Sequence, residues 1–202
     1  NFDEDYLGEF GYGNGSGDGQ FVWAVSMRLD SQERLLITDE HNHRISIFDT
    51  SGKFLEKWGT PGSAPGELNG PAGIDIDGDD NVYIVDQHNS RIQKFTIDGK
   101  YIAHWGEFGT EPGQFNLPWG VSVGPDGSVF VADWRNDRVQ VFGQDGSHTE
   151  TLIGDATLSK WCQEFLDVNP EQASWRENAG LFEQEKRFWR PAAIETSSDG
   201  LV

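Results

Sequence analysis

The chain has 202 residues, of which 36% are hydrophobic and 12% aromatic, which is enough for one well-packed domain. Its formal net charge of −19 excludes partners that are held mainly through phosphate contacts, so neither nucleic acid nor an anionic membrane surface is expected to bind it. No apolar run approaches the roughly 20 residues of a spanning helix. Composition therefore predicts a soluble chain without membrane insertion.

The same residue types recur at a spacing of 47 in three consecutive units without gaps. The recurring positions are Asp39, Asp86 and Asp133, then Asn42, Asn89 and Asn136, then Arg44, Arg91 and Arg138, and finally Phe48, Phe95 and Phe142. Within the second unit, apolar and polar residues alternate over 73–77 and 81–86, which predicts strands A and B. Residues 91–95 and 100–105 predict strands C and D, joined by a tight turn at Asp98-Gly99. Four-stranded antiparallel sheets repeated at this period indicate an all-β propeller.

The runs TDEHNHRISIFDTSGKFLEKWG, VDQHNSRIQKFTIDGKYIAHWG and ADWRNDRVQVFGQDG resemble NHL repeats. The resemblance extends over about three-quarters of the chain and implies an arc of a larger, six-bladed β-propeller. It also implies that the ring is closed by residues missing from this chain or by another chain. The family includes RNA binders, protein-interaction modules and a few lyases, so the resemblance does not by itself imply an activity.

The predicted organisation follows the repeat. Residues 1–18 form the outer strand of a preceding blade and a connection, 19–65 blade 1, 66–112 blade 2, 113–154 blade 3, 155–187 a helical insertion, and 188–202 the first strand of a further, truncated blade. The insertion breaks the period, and Trp161, Phe165 and Leu166 have helical spacing. Asn169 followed by Pro170 is typical of a second helix start. We expect this helical hairpin to fold as a lid over the channel mouth.

In a propeller, the B–C turns and the D-to-A connections open on one face, around the mouth of the central channel. Candidate ligand-binding residues are those that differ between blades on this face: Trp23, His41, His43, His88, Trp119, Trp134, Arg135 and Arg190. Large amphipathic rings with arginines beside them suit a protein, a peptide or an extended small ligand. The same rings could instead plug the channel axis or support the insertion.

The recurrent Asp, Asn and Arg of the B–C turns occur in every blade, so we interpret them as part of the repeat's architecture and not as catalytic groups. The aspartates are expected to accept hydrogen bonds from turn amides, and the arginines to bridge to carboxylates or carbonyls. The asparagines are expected to supply left-handed turn conformations.

A metal site is the competing interpretation of three histidines, His41, His43 and His88, which lie in corresponding turns of adjacent blades. Zinc needs three or four converging ligands, and the third blade offers no histidine there. The family's zinc lyase, the peptide-amidating lyase, has histidine directly after the proline at the start of strand A. This chain has Ala72, Trp119 and Ala192 at those positions, with Val25 in the first blade. The acidic residues of 75–81 lack the glycine and glutamate spacing of a calcium loop, so an ordinary A–B turn is expected.

The sequence thus predicts a non-catalytic propeller that binds a protein, peptide or extended small ligand, with no catalytic residue, metal or cofactor. The alternative is a propeller lyase or hydrolase whose catalytic or metal residues lie partly in blades missing from this chain. The lone cysteine, Cys162, requires no oxidising compartment, and the localisation, cytoplasmic or extracytoplasmic, stays open.

Overall fold

The computed structural model describes residues 11–154, 165, 167–171, 174, 188 and 190–197. The strands, in chain order, are β1 (Ala24–Leu29), β2 (Leu35–Asp39), β3 (Arg44–Phe48), β4 (Phe54–Trp58), β5 (Pro71–Ile76), β6 (Val82–Asp86), β7 (Arg91–Phe95), β8 (Tyr101–Trp105), β9 (Val121–Val123), β10 (Val129–Asp133), β11 (Arg138–Phe142) and β12 (His148–Leu152). Short 3-10 helices, Gln87–Asn89 and Trp134–Asn136, follow β6 and β10.

The twelve strands form three four-stranded sheets in which each strand pairs antiparallel with its neighbour in sequence. These sheets are β1 to β4, β5 to β8 and β9 to β12, and we name them blades 1, 2 and 3. The first strands, β1, β5 and β9, lie beside one another and form the inner edge of the arc. The all-β architecture of four-stranded antiparallel blades is therefore confirmed.

The hydrophobic core lies between the blades. One cluster joins blade 1 to blade 2 through Leu36, Ile45, Ile74, Val82 and Ile84, among others. A second joins blade 2 to blade 3 and contains other side chains of the same β6 strand. Since successive residues of a strand point to opposite faces, a strand between two blades must be apolar on both faces. This requirement explains why all of β6 is buried.

The outer strands are held by tryptophans that contact the next blade. Trp58 packs on Phe95 with ring centroids 5.1 Å apart, and Trp105 packs on Phe142 at 6.2 Å. The C–D turn of blade 2 allows the approach, because a Cβ on Gly99 would lie 2.6 Å from the Trp58 ring, and its φ of +79° also favours glycine. Trp58 and Trp105 therefore serve packing between adjacent blades.

The predicted helical insertion, residues 155–187, lies almost wholly outside the described residues. The described positions 165, 167, 170, 171 and 174 have helical backbone, but no helix with defined bounds is described there, so the helical hairpin is unsupported. Residues 190–197, all of which are described, form no strand. Thr196 N nevertheless donates a hydrogen bond to Ser122 Oγ of β9 at 3.0 Å. No helix in the described part of the chain has the length and apolar character needed to cross a membrane.

Candidate functional site

The repeated Asp, Asn and Arg form one hydrogen-bonded unit per blade, which we call the latch. In blade 2, Asp86 is fully buried and accepts hydrogen bonds from Asn69 N at 2.6 Å, Asn89 Nδ2 at 2.8 Å and Arg91 Nε at 2.7 Å. The remaining nitrogens of Arg91 donate to main-chain carbonyls of the preceding D-to-A connection, those of Ser63, Ala64 and Glu67.

Blade 3 repeats the latch. Asp133 accepts from Asn116 N, Asn136 Nδ2 and Arg138 Nε, each at 2.8 Å. In blades 2 and 3 the aspartate and arginine of the latch are occupied in tying the B–C turn to its D-to-A connection. These contacts support the architectural interpretation of the recurrent Asp and Arg.

The role assigned to the asparagines was wrong in one respect. The left-handed residue of each B–C turn is the one after the asparagine, namely His43, Ser90 and Asp137, with φ of 53°, 52° and 52°. The asparagine instead donates through its side chain, as Asn89 Nδ2 does to Gly62 O at 2.9 Å. The side-chain amide of Asn89 joins the Asp86 carboxylate to the D-to-A connection, and a left-handed backbone conformation alone would make neither contact.

Four of the predicted site residues come together at the top of blade 3, and we call them the aromatic–arginine cluster: Trp119, Trp134, Arg135 and Arg190. The two indole rings lie with centroids 6.5 Å apart. The guanidinium carbons of Arg135 and Arg190 lie 5.6 Å and 5.0 Å from the centroid of the Trp134 ring. Such contacts are cation–π interactions, which orient the guanidinium groups against the ring.

The backbone fixes each member of the aromatic–arginine cluster. Trp134 begins the 3-10 helix that follows the buried Asp133. Arg135 N donates to Asn116 O at 3.1 Å, and Arg190 N donates to Asp137 Oδ1 at 2.9 Å. Trp119 N donates to Ala132 O at 2.9 Å. The D-to-A connection, the B–C turn and the segment after the insertion therefore meet at this point.

The remaining predicted site residues lie elsewhere on the same face. His88 Nε2 is 3.5 Å from Glu40 Oε1 of the adjacent turn, and His43 Nδ1 accepts a hydrogen bond from Gly70 N at 3.0 Å. His43 is therefore a contact between blades 1 and 2. His41 is exposed, and Trp23 is 59% exposed. Within the described residues, no ring contact joins Trp23 to the aromatic–arginine cluster.

No group of three or more His, Cys, Asp or Glu side chains converges as a metal site within the described ranges. The acidic A–B turn of blade 2 is held by its own hydrogen bonds. Burial raises the pKa of Asp77, but the side-chain and main-chain donors of Asn81 and the amide of Asp79 outweigh it, so the pKa of that carboxyl is lowered.

A cavity of about 240 Å³ lies between the inner strands, lined by β1, β5, β9 and residues 192–194. Beside it, Arg28, Asp75 and Ser122 occupy the same position of successive blades, 47 residues apart. Arg28 Nε donates to Asp75 Oδ1 at 2.8 Å, and Ser122 Oγ donates to Asp75 Oδ2 at 3.1 Å. Arg28 Nη1 also reaches Glu195 at 3.3 Å. Sequence reasoning missed this set, although the 47-residue register shows a position where the blades differ.

Comparison with known families agrees with this architecture. A family model described as a 6-bladed β-propeller, DUF5128, matches residues 23–105, and the NHL repeat model matches residues 115–142. The matched residues run from the start of blade 1 to the end of β11. These two matches support a β-propeller built from NHL repeats.

Solved structures similar to this NHL propeller share its fold. A streptogramin B lyase is 15% identical, with a TM-score of 0.50 over 62% of this chain and 39% of that one. A virginiamycin B lyase from Staphylococcus aureus is 19% identical, with a TM-score of 0.51 over 63% and 40%. The hydrazine synthase of Kuenenia stuttgartiensis is 14% identical, with a TM-score of 0.56 over 88% and 40%.

The chain spans about two fifths of the length of these solved structures. At such identities the likeness concerns the fold alone. No curated protein sequence matches the chain.

Proposed function

We propose that this NHL propeller binds a protein, peptide or extended small ligand on the face of its B–C turns, at the aromatic–arginine cluster. The observation that carries the proposal is the convergence of Trp119, Trp134, Arg135 and Arg190, contributed by three separate segments of the chain. These residues differ between blades, whereas the latch residues recur. Tryptophan and arginine are also the side chains most enriched among residues that dominate binding energies.

The chemistry of the cluster favours a ligand with an anionic group next to a flat apolar group. Arg135 is exposed, and its guanidinium carbon lies over the indole of Trp134. A guanidinium held against a ring by its face still directs N–H donors outward at its edge, where a carboxylate can accept two of them. On a chain with a net charge of −19, a local pair of arginines is the favourable place for an acidic peptide.

Fluorescence polarisation with labelled peptides tests the proposal. The probes are acidic peptides containing aromatic residues, together with the same peptides carrying Gln and Asn in place of Glu and Asp. We expect the acidic probes to bind, and Arg135→Ala to weaken binding about tenfold, as for loss of one charge-assisted hydrogen bond.

Lys53→Ala is the matched control, because Lys53 is an exposed cation in the C–D turn of blade 1, at the opposite end of the sheet. Equal affinity of Arg135→Ala and the wild-type chain, or equal binding of the acidic and neutral probes, contradicts the proposed recognition. A lid formed by residues 155–187 stays part of the proposal. Deleting that segment with a short linker should abolish capture of the acidic probe while leaving the blades folded.

No arrangement among the described residues specifically supports the lyase or hydrolase alternative. Two of the similar structures are lyases by name, but their identity to this chain is too low to carry an activity. Turnover of a candidate substrate by the purified chain, abolished by a chelator, would favour this alternative over binding.

We further propose that another blade packs against the outer face of β1. Met27 and Leu29 are 57% and 56% exposed, whereas Ile74 and Val121, which occupy the position of Met27 in the other blades, are 2% and 3% exposed. Ile74 is buried against Leu36 and Ile45 of the preceding blade. Met27 and Leu29 are thus exposed apolar side chains on a face that is covered by a neighbouring blade in blades 2 and 3.

Sedimentation velocity distinguishes a covered face from a free one. The 202-residue chain should self-associate through β1, and Met27→Lys should reduce the association. Leu55→Lys, on the outer strand β4, is the matched control. A compact monomer that melts cooperatively would show that this face needs no further blade.

A further inference from the structure

The latch of blade 1 differs from those of blades 2 and 3 in its central ion pair. Arg44 and Asp39 approach only to 4.0 Å, through Arg44 Nη2 and Asp39 Oδ2. In blades 2 and 3 the corresponding pairs are joined through Nε at 2.7 Å and 2.8 Å. The Nε of Arg44 is buried, and no described residue accepts a hydrogen bond from it.

One residue beside the latch also differs between the blades. Gln93 and Gln140 occupy the same position in blades 2 and 3, and blade 1 has Ser46 there, 47 residues before Gln93. Gln93 Nε2 donates to Glu67 O at 2.6 Å and to Asp86 Oδ2 at 3.0 Å, and its Oε1 accepts from Gly66 N at 2.9 Å. One glutamine side chain therefore satisfies three polar groups that surround it.

Gln140 makes the same three contacts in blade 3, with Gln114 O at 2.7 Å, Asp133 Oδ2 at 3.2 Å and Gly113 N at 2.8 Å. The repetition shows that the three groups form a standard environment of the latch. The equivalent groups of blade 1 are Gly19 N, Gln20 O and Asp39 Oδ2. The serine is too short to reach them, and its own Oγ is buried without a hydrogen-bond partner among the described residues.

We propose that blade 1 contains a specific internal site for water, which replaces the missing glutamine amide and which we call the blade-1 site. It is surrounded by five polar groups: Gly19 N, Gln20 O, Asp39 Oδ2, Arg44 Nε and Ser46 Oγ. Gly19, Asp39, Arg44 and Ser46 are all buried, so the site is enclosed. A buried water typically makes about three hydrogen bonds, and these groups supply both donors and acceptors.

The size of the substitution sets how much water fits. Replacing glutamine by serine removes three side-chain atoms, and a water molecule takes up about 30 Å³ in the liquid. The blade-1 site therefore holds one or two water molecules, bound by the guanidinium and the carboxylate that are direct partners elsewhere. An anion is disfavoured by Asp39 and a cation by Arg44, so the ligand is neutral.

Crystal structures of the wild-type chain and of Ser46→Gln test the site. We expect the wild type to show at least one water within about 3.2 Å of Arg44 Nε and of Asp39 or Ser46. In Ser46→Gln the amide should displace the water and contact Gly19 N and Gln20 O, and Arg44 Nε should approach Asp39 as its equivalents do.

Thermal melting gives a second readout. Ser46→Gln should raise the melting temperature by about 2–4 °C, the shift that about one net hydrogen bond produces in a domain of this size. Gln93→Ser is the matched reverse variant and should lower it while creating a water site in blade 2. A wild-type structure in which Arg44 Nε contacts Asp39 directly and no water is bound would overturn the proposal. So would a lower melting temperature for Ser46→Gln with its amide turned out of the site.

Discussion

Arg28 of β1 donates its Nε to Oδ1 of Asp75 in β5 at 2.8 Å, and this contact links blade 1 to blade 2 beside the channel. Asp75 is 8% exposed and also accepts from Val123 N at 2.7 Å in blade 3. One carboxylate therefore connects three blades.

Asp75→Ala should accordingly lower the free energy of unfolding by about 2–4 kcal/mol, because it leaves the Val123 amide and Arg28 Nε without their acceptor. Urea denaturation followed by tryptophan fluorescence measures the change. Asp79→Ala is the control, since its side chain accepts no hydrogen bond among the described contacts. A loss no larger than that of the control would show that Asp75 does not join the blades.

The latches should differ in their sensitivity to mutation. Asp133→Ala leaves Arg138 buried without its carboxylate and should cost about 3–5 kcal/mol of unfolding free energy. Asp39→Ala should cost less, because Arg44 lies 4.0 Å from that carboxylate. Denaturant melts of both variants, with His41→Ala as an exposed control expected within about 0.5 kcal/mol of wild type, decide the order. Equal losses at Asp39 and Asp133 would mean that the two latches are energetically alike.

Gly73 marks a close approach of two inner strands. A Cβ at this position would lie 2.6 Å from Trp119 O and 2.9 Å from Val121 N, which are backbone atoms of the next blade. Gly73→Ala should therefore force the blades apart and cost about 1–3 kcal/mol. Gly78→Ala is the matched control, because nothing lies within 4 Å of its Cβ position. If Gly73→Ala and Gly78→Ala have the same melting temperature, the backbone spacing of the blades is more adaptable than the contacts indicate.

Acid should weaken the C–D turn of blade 2. The hydrogen bond from Lys100, followed by that from Thr96, lowers the pKa of Asp98 from 3.8 to about 2. Because the folded pKa is the lower one, the stabilisation is fully present above pH 3.8 and is lost as the pH falls towards 2. The difference in melting temperature between wild type and Asp98→Asn should therefore shrink between pH 5 and pH 2. A difference independent of pH over this range would mean that the charge of Asp98 is not involved.

The three blades could be predicted from the sequence because the repeat combines two strong signals, a fixed 47-residue spacing and turns that contain glycine. The predicted strands of blade 2 agree with β5 to β8 to within two residues at each end. Such local patterns determine where a strand begins and ends.

Contacts between blades could be predicted only in part. The sequence predicts Trp119 and Trp134 on one face, but it does not predict their 6.5 Å contact. The position of Arg190 over the Trp134 ring depends on how the segment after the insertion returns to blade 3. The sequence predicts His43 at a ligand site, yet its Nδ1 accepts a hydrogen bond from Gly70 N of the next blade. The spacing of residues along the chain contains no information on such side-chain directions.

The position shared by Arg28, Asp75 and Ser122 makes the order of the blades chemically specific. Arg28 of blade 1 contacts Asp75 of blade 2, and Asp75 contacts Ser122 of blade 3. The side chain at this position therefore has to match the one at the same position of the next blade. A second copy of blade 2 placed directly after the first would set one aspartate against another in a nearly buried position, where like charges repel. The repeats are therefore similar in shape but not interchangeable. Recombination among them during evolution, or shuffling of blades by design, would have to change this position together with the order.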